Sequence, residues 1–156
     1  MQHDMTSEVS VYVQLLNAWN RRSAHDFAAL FTADGSSVGF DGSPMNGRAE
    51  IASTLDTIFA HHQTAAYVAK LRELRTLGPG VTLLRAVVGM VPPAQNDLNP
   101  GANAIQSLVL VERDGEWRIA LLHNTPAAFH GRPEMGQQLT EELTEVYRSG
   151  KVVREL

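Results

Sequence analysis

The chain has 156 residues, the length of one domain and enough for a sizeable core. It is 44% hydrophobic and 19% charged, a globular composition, and a net charge of -4 with no Lys/Arg block speaks against nucleic acid as a partner. The absence of cysteine excludes disulfides, thiolate zinc sites, iron–sulfur clusters and a Cys nucleophile, and fits a reducing cytosol.

The opening segment MQHDMTSEVS has no apolar signal core, and no run is long enough to span a bilayer. The expectation is a soluble, cytoplasmic protein with no membrane partner. Thr6 or Ser7 reads as the cap of a first helix, with Glu8 in its first turn. Val9, Tyr12, Val13, Leu16 and Trp19 then recur at helical spacing. Residues 26–31, DFAALF, read as a second short helix with Phe27, Leu30 and Phe31 on one side. The Gly/Ser-rich stretch 33–47 holds a strand at 37–40 and a hairpin around Asp41-Gly42-Ser43-Pro44. A third helix over 48–61 carries Ile51, Leu55, Ile58 and Phe59 as its apolar stripe.

Strands account for most of the remainder. Residues 65–77 form a long one, with a period shared between strand and helix, and Gly78-Pro79-Gly80 makes a turn. Residues 81–91 are apolar and β-branched, and 92–103 form a loop. Residues 104–113 and 116–125 flank Asp114-Gly115, a strong hairpin signal. A helix over 135–147 closes the chain, so the division is a domain over 6–134 and a helical tail over 135–156. Helices first and a strand meander after them indicate α+β, with the helices on one face of a curved antiparallel sheet. The lack of βαβ alternation argues against a doubly wound nucleotide fold.

With Asp114-Gly115 as the turn, regular pairing sets Leu110 opposite Ile119, Leu108 opposite Leu121 and Gln106 opposite His123. Opposed residues share a face, so His123 and Gln106 are expected to point together into the space under the helices. There Trp19, Phe27, Phe31, Phe40 and Phe59 would build apolar walls, with MVPP and NPGAN at the rim. The other face carries Val109, Ala120, Ser107, Leu122 and Asn124, and is also apolar enough to need a cover. A second copy of the chain is the simplest one, giving a homodimer through the sheet. His123 and Gln106 either orient a ligand or satisfy each other in the core. Arg85 either points inward to a ligand or pairs with a carboxylate such as Glu73. Trp19 and Trp117 serve as core or as ligand platform.

Adjacent His61 and His62 point apart, and no H-x-x-E-H-like spacing occurs, so no metal is expected. No G-x-S-x-G, P-loop or G-x-G-x-x-G pattern occurs, so no cofactor is expected either.

The segments LLNAWNRRSAHDFAALFTADGS, GFDGSPMNGRAEI and GEWRIALLHNT resemble the NTF2-like (SnoaL/ketosteroid-isomerase-like) superfamily. LLRAVVGMVPP, NPGANAIQSLVLV and NTPAAFHGRPE further resemble its SgcJ/EcaC group, associated with polyketide pathways including those of nine-membered enediynes. The resemblance spans residues 7–134. It implies a cone-shaped roll, a dimer and a small-molecule cavity, but no single reaction. The general-base Asp of ketosteroid isomerases falls on Gly39 here, with Asp41 two residues on in the turn, so that mechanism does not carry over. The acid–base residue that cyclases place on late strands falls nearest to His123.

Three functions follow. The first is a cofactor-free cyclase, isomerase or dehydratase acting on a polyketide or polyene. Catalytic roles would fall to His123 as acid–base group, Gln106 as its orienter and Arg85 as an anion contact. Trp19, Phe27, Phe31, Phe40, Phe59 and Asn124 would bind the substrate. The second is a non-catalytic binder shielding a small hydrophobic, polyketide-derived ligand. The third is an accessory subunit docked on a polyketide synthase through TPAAFHGRPE and the last helix, whose stripe is Leu139, Leu143, Val146 and Tyr147.

Overall fold

The computed structural model describes residues 4–156, with side chains from Glu8 onward. Helix α1 runs over Asp4–Asn20, so Thr6 and Ser7 lie inside it and its cap falls outside the described residues. Arg22, with φ 62°, turns the chain, and Ser23 caps α2 (Ala24–Ala29) by accepting from the Asp26 N–H at 3.2 Å. The helix thus starts before the expected 26 and stops before Phe31. Phe31 opens strand β1 (Phe31–Val38) instead, because its backbone pairs in parallel with Ile119.

The β1–β2 turn and short β2 (Pro44–Asn46) lead into α3 (Arg48–His61), as expected from the hairpin signal. Strands β3 (Ala66–Gly78), β4 (Val81–Val91), β5 (Ala104–Arg113) and β6 (Glu116–Pro126) form the antiparallel meander. Helix α4 (Pro133–Arg148) and a two-residue strand β7 (Val153–Arg154) follow. The sheet order is β2-β1-β6-β5-β4-β3-β7, with β1 parallel to β6 and β7 parallel to β3. Those two parallel pairings join segments far apart in sequence, and no local pattern announces them. Among the described residues no helix is long and apolar enough to cross a membrane.

Helices α1 to α3 cover the inner face of this curved sheet. Their fully buried residues, among them Tyr12, Leu15, Leu16, Ile51 and Leu55, pack on Leu84, Leu108, Leu110 and Ile119. A second, smaller core lies on the outer face. There Leu139, Leu143 and Val146 of α4 pack on Val68, Val87 and Val91, so the apolar stripe of the last helix is spent on its own sheet. Gly89 permits this approach: a Cβ there would run into Leu98 and meet Leu143 Cδ1 at 3.2 Å.

A charged clamp fastens the same helix. Arg72 donates to both oxygens of Glu142 at 2.6 and 2.7 Å, and Lys70 Nζ lies 2.8 Å away. The Arg72 hydrogen bonds, helped by Lys70, hold the Glu142 carboxyl at about 2, against an ordinary 4.5. A lowered carboxyl pKa stabilises the fold above the ordinary range, and that stabilisation is lost as pH falls from 4.5 toward about 2. Glu142→Gln is expected to cost about 1–2 kcal/mol at neutral pH and to flatten that acid limb, read by urea unfolding at a series of pH values.

Candidate functional site

The site is decided by one irregularity in the β5–β6 hairpin. Near the turn the pairs are the expected ones, Arg113 with Glu116 and Leu110 with Ile119. Between Leu110 and Val109 the register then shifts, because Ala120 bulges and Val109 pairs with Leu121. Beyond the bulge Leu108 opposes Leu122, Ser107 opposes His123, and Gln106 opposes Asn124. A slip of one residue reverses the faces. Leu122 and Asn124 therefore point under the helices, while Leu121 and His123 take the outer face.

His123 is exposed there, beside Ser107 and Val38, and it does not share a face with Gln106 as expected. Arg85 lies in the same outer row, opposite Ser107, and pairs with Glu73 through Nη1 and Oε1. Of its two readings, the ion pair is the one present. The three residues read as one catalytic group thus separate, with Gln106 inside and Arg85 and His123 outside.

Under the helices lies a cavity of about 410 Å³. Leu15, Leu16 and Trp19 of α1, Phe27 of α2 and Thr54, Leu55 and Ile58 of α3 form one wall. Ser37, Tyr67, Met90, Gln106, Leu122 and Asn124 form the sheet wall, and the segment from Gly39 to Met45 makes the mouth. Of the expected apolar walls, Trp19, Phe27 and Phe40 line it. Phe31 is fully buried beneath Phe27, their centroids 5.7 Å apart, and Phe59 sits behind Trp19 at 5.2 Å. Both support the wall without facing the space. Trp19 also donates through Nε1 to the Ala65 carbonyl at 2.9 Å, which sets its ring. Met90 of MVPP reaches the cavity. NPGAN does not; Pro100, Gly101 and Asn103 line a separate groove of about 500 Å³ beside α4.

The polar groups on the sheet wall form one chain. Tyr12 Oη donates to Gln106 Oε1 at 2.6 Å, Gln106 Nε2 to Asn124 Oδ1 at 2.9 Å, and Asn124 Nδ2 to the Val38 carbonyl at 2.9 Å. Burial pushes the Tyr12 phenol well above its usual range. Burial likewise pushes Tyr67 up to about 12, offset in part by a hydrogen bond from Gln106. Both phenols stay protonated at neutral pH, so the chain carries no charge. Tyr12 spends its proton on Gln106. Tyr67 donates to no protein acceptor among the described residues, and its O–H is free for a ligand oxygen. The sequence placed Tyr12 in a helical stripe and Tyr67 in a strand without marking either as a site residue. Neither sits in a motif, and only the fold brings them to Gln106.

The fold that builds this cavity has counterparts among known proteins. A SnoaL-like domain matches residues 9–128. The chain belongs to the SnoaL-like family. Its fold is the cystatin-like, or NTF2-like, one. A domain of unknown function with a cystatin-like fold from Nostoc punctiforme superposes with a TM-score of 0.75 at 22% identity, covering 94% of this chain and 99% of that one. A ketosteroid isomerase-like protein from Erwinia carotovora gives 0.63 at 16% identity, over 82% and 99%. An uncharacterized protein with a cystatin-like fold from Caulobacter vibrioides gives 0.61 at 25% identity, over 83% and 93%. No curated protein matches the sequence.

A phenol raised by the fold stabilises it below its ordinary pKa, and that contribution disappears as pH rises from 10 through about 12. Stability is expected to fall across that alkaline window, and Tyr67→Phe to reduce the slope, measured by urea unfolding with absorbance of the ionised phenol as the titration readout.

Proposed function

We propose that this SnoaL-like protein binds a neutral, largely apolar molecule of the polyketide or polyene kind, as an accessory of natural-product biosynthesis. The observation that carries this reading is the cavity itself. Its walls are apolar and aromatic, and its one inner polar cluster is uncharged, with Tyr67 offering a proton to a carbonyl or hydroxyl oxygen. The SgcJ/EcaC resemblance narrows the ligand to an enediyne-type polyene. Shielding and orienting such a molecule needs only this shape and this donor. The Tyr67 O–H also supports a second reading, in which it polarises a ligand carbonyl during isomerisation or cyclisation. His123 is not proposed as the acid–base residue of either reading, because its imidazole lies on the far side of the sheet.

The test is to incubate the crude polyene released by an enediyne-type synthase with the protein and follow it by liquid chromatography–mass spectrometry. Wild type and His123→Ala are expected to slow its decay or redirect its product alike. Leu122→Trp, which fills the cavity, is expected to abolish the effect. A Tyr67→Phe variant that protects but gives no new product would favour the carbonyl-polarising reading. Loss of the effect in His123→Ala would overturn the cavity as the working site.

The same reading includes a second copy of the chain on the outer face. Helix α4 covers only part of that face, leaving Leu83, Val109 and Leu121 half-buried around the Arg85–Glu73 pair. A patch carrying both charges can meet itself across a two-fold axis. Sedimentation is expected to give a dimer for wild type and a monomer for Leu121→Asp. A wild-type monomer at micromolar concentration would sink this part.

A further inference from the structure

Among the described residues that line the cavity, Asp41 is the one whose side chain carries charge at neutral pH. It stands at the mouth, in the turn between β1 and β2, next to Phe40, which is 44% exposed. The turn is built to hold the carboxylate in place. Asp41 Oδ1 accepts from the Ser43 N–H at 2.9 Å, Gly39 N–H donates to the Ser43 carbonyl at 2.9 Å, and Gly42 takes a φ of 90°. The carboxylate folds back over the glycine that lines the opening: a Cβ on Gly39 would lie 3.6 Å from Oδ1. The carboxylate is exposed, and no cation pairs with it among the described residues. The hydrogen bond from Ser43 holds its pKa below the ordinary value, so the charge persists through the neutral range.

We infer that Asp41 is a specificity-determining residue, a fixed negative charge at the mouth that turns away apolar molecules ending in a carboxylate and admits neutral or amine-bearing ones. The inference rests on the reading of the cavity as a site for apolar ligands, and adds a rule about their outer end. A ligand seated with an oxygen against Tyr67 presents its far end to the mouth. A carboxylate there meets like charge; an ammonium meets a carboxylate that no cation neutralises. The inner wall reinforces the rule, since it holds no cation to compensate a ligand's negative charge. The molecule that uses this site is therefore one whose carboxyl group is absent, or masked as an ester or thioester. The step that supplies it must remove or mask that group first.

Three probes with one farnesyl-type chain isolate the end group: farnesol, farnesylamine and farnesoic acid, titrated at neutral pH and low salt by isothermal calorimetry. Wild type is expected to bind the acid roughly tenfold or more weakly than the amine, from like- and opposite-charge terms at about 4 Å in a wet mouth. Added salt is expected to shrink that ratio. Asp41→Asn keeps the acceptor that Ser43 needs and is expected to bring the ratio to within about twofold. Asp41→Glu is expected to retain it. Asp114→Asn removes the same net charge at the opposite end of the β5–β6 hairpin and is expected to leave the ratio at its wild-type value. A ratio unchanged in Asp41→Asn overturns the inference, as does farnesol binding with acid and amine equal in wild type. Failure of all three probes to bind overturns the cavity reading itself, and the filter with it.

Discussion

A single unpaired residue, Ala120, decides which chemistry this protein can bring inside. A strand shows its side chains to two faces alternately, so one extra residue in β6 exchanges every assignment downstream of it. Upstream, Ile119 packs in the core beside Leu110. Downstream, Leu122 and Asn124 replace Leu121 and His123 on the inner wall. The bulge lies where β1 joins β6 in parallel, and that ladder is irregular at the same place, between Phe31 and Ser36. Gly35 sits in the irregular stretch, and a Cβ on it would lie only 2.8 Å from the Ile119 carbonyl. The two strands accommodate each other there.

The polar chain follows from that choice. With Asn124 inside, Gln106 gains an amide partner rather than an imidazole, and its carbonyl is free to accept from Tyr12. Every link is neutral, so the wall can be buried without the desolvation cost of an ion. The rigid chain anchors β5 and β6 to α1 and the end of β1. Tyr67 adds a donor facing open space. This wall fits the oxygen-bearing apolar ligand proposed for it, and the carboxylate of Asp41 stands at the mouth.

The outer face is covered by the chain itself only in part. Helix α4 takes one end of it, held by the Glu142 clamp and by the close approach that Gly89 allows. The remainder carries the row Glu73, Arg85, Ser107 and His123 across β3 to β6. These residues are polar enough to face water and apolar enough around their edges to be covered. Their separation from the cavity by the full thickness of the sheet is what removes them from its chemistry.

The α+β class, all four helices, the main meander and the Asp114-Gly115 hairpin were legible in the chain, because amphipathic spacing and turn chemistry are local. So was the placing of Trp19, Phe27, Phe40 and Gln106 around the space under the helices, whereas Phe31 and Phe59, read the same way, pack behind the wall and Asn124 was read onto the other face. The parallel pairings of β1 and β7 were not legible, because they join distant segments with no local signature. Nor was the bulge, since Ala120 looks like any other strand residue and its displacement coincides with an irregular pairing to the distant strand β1. Local pattern alone yields an apolar shell of helices packed on a curved, mostly antiparallel sheet. That Asn124 rather than His123 looks inward, that Tyr12 and Tyr67 meet Gln106, and that Asp41 stands at the cavity mouth is settled by the folded chain. Each depends on register and on contacts between remote segments, which no local periodicity encodes.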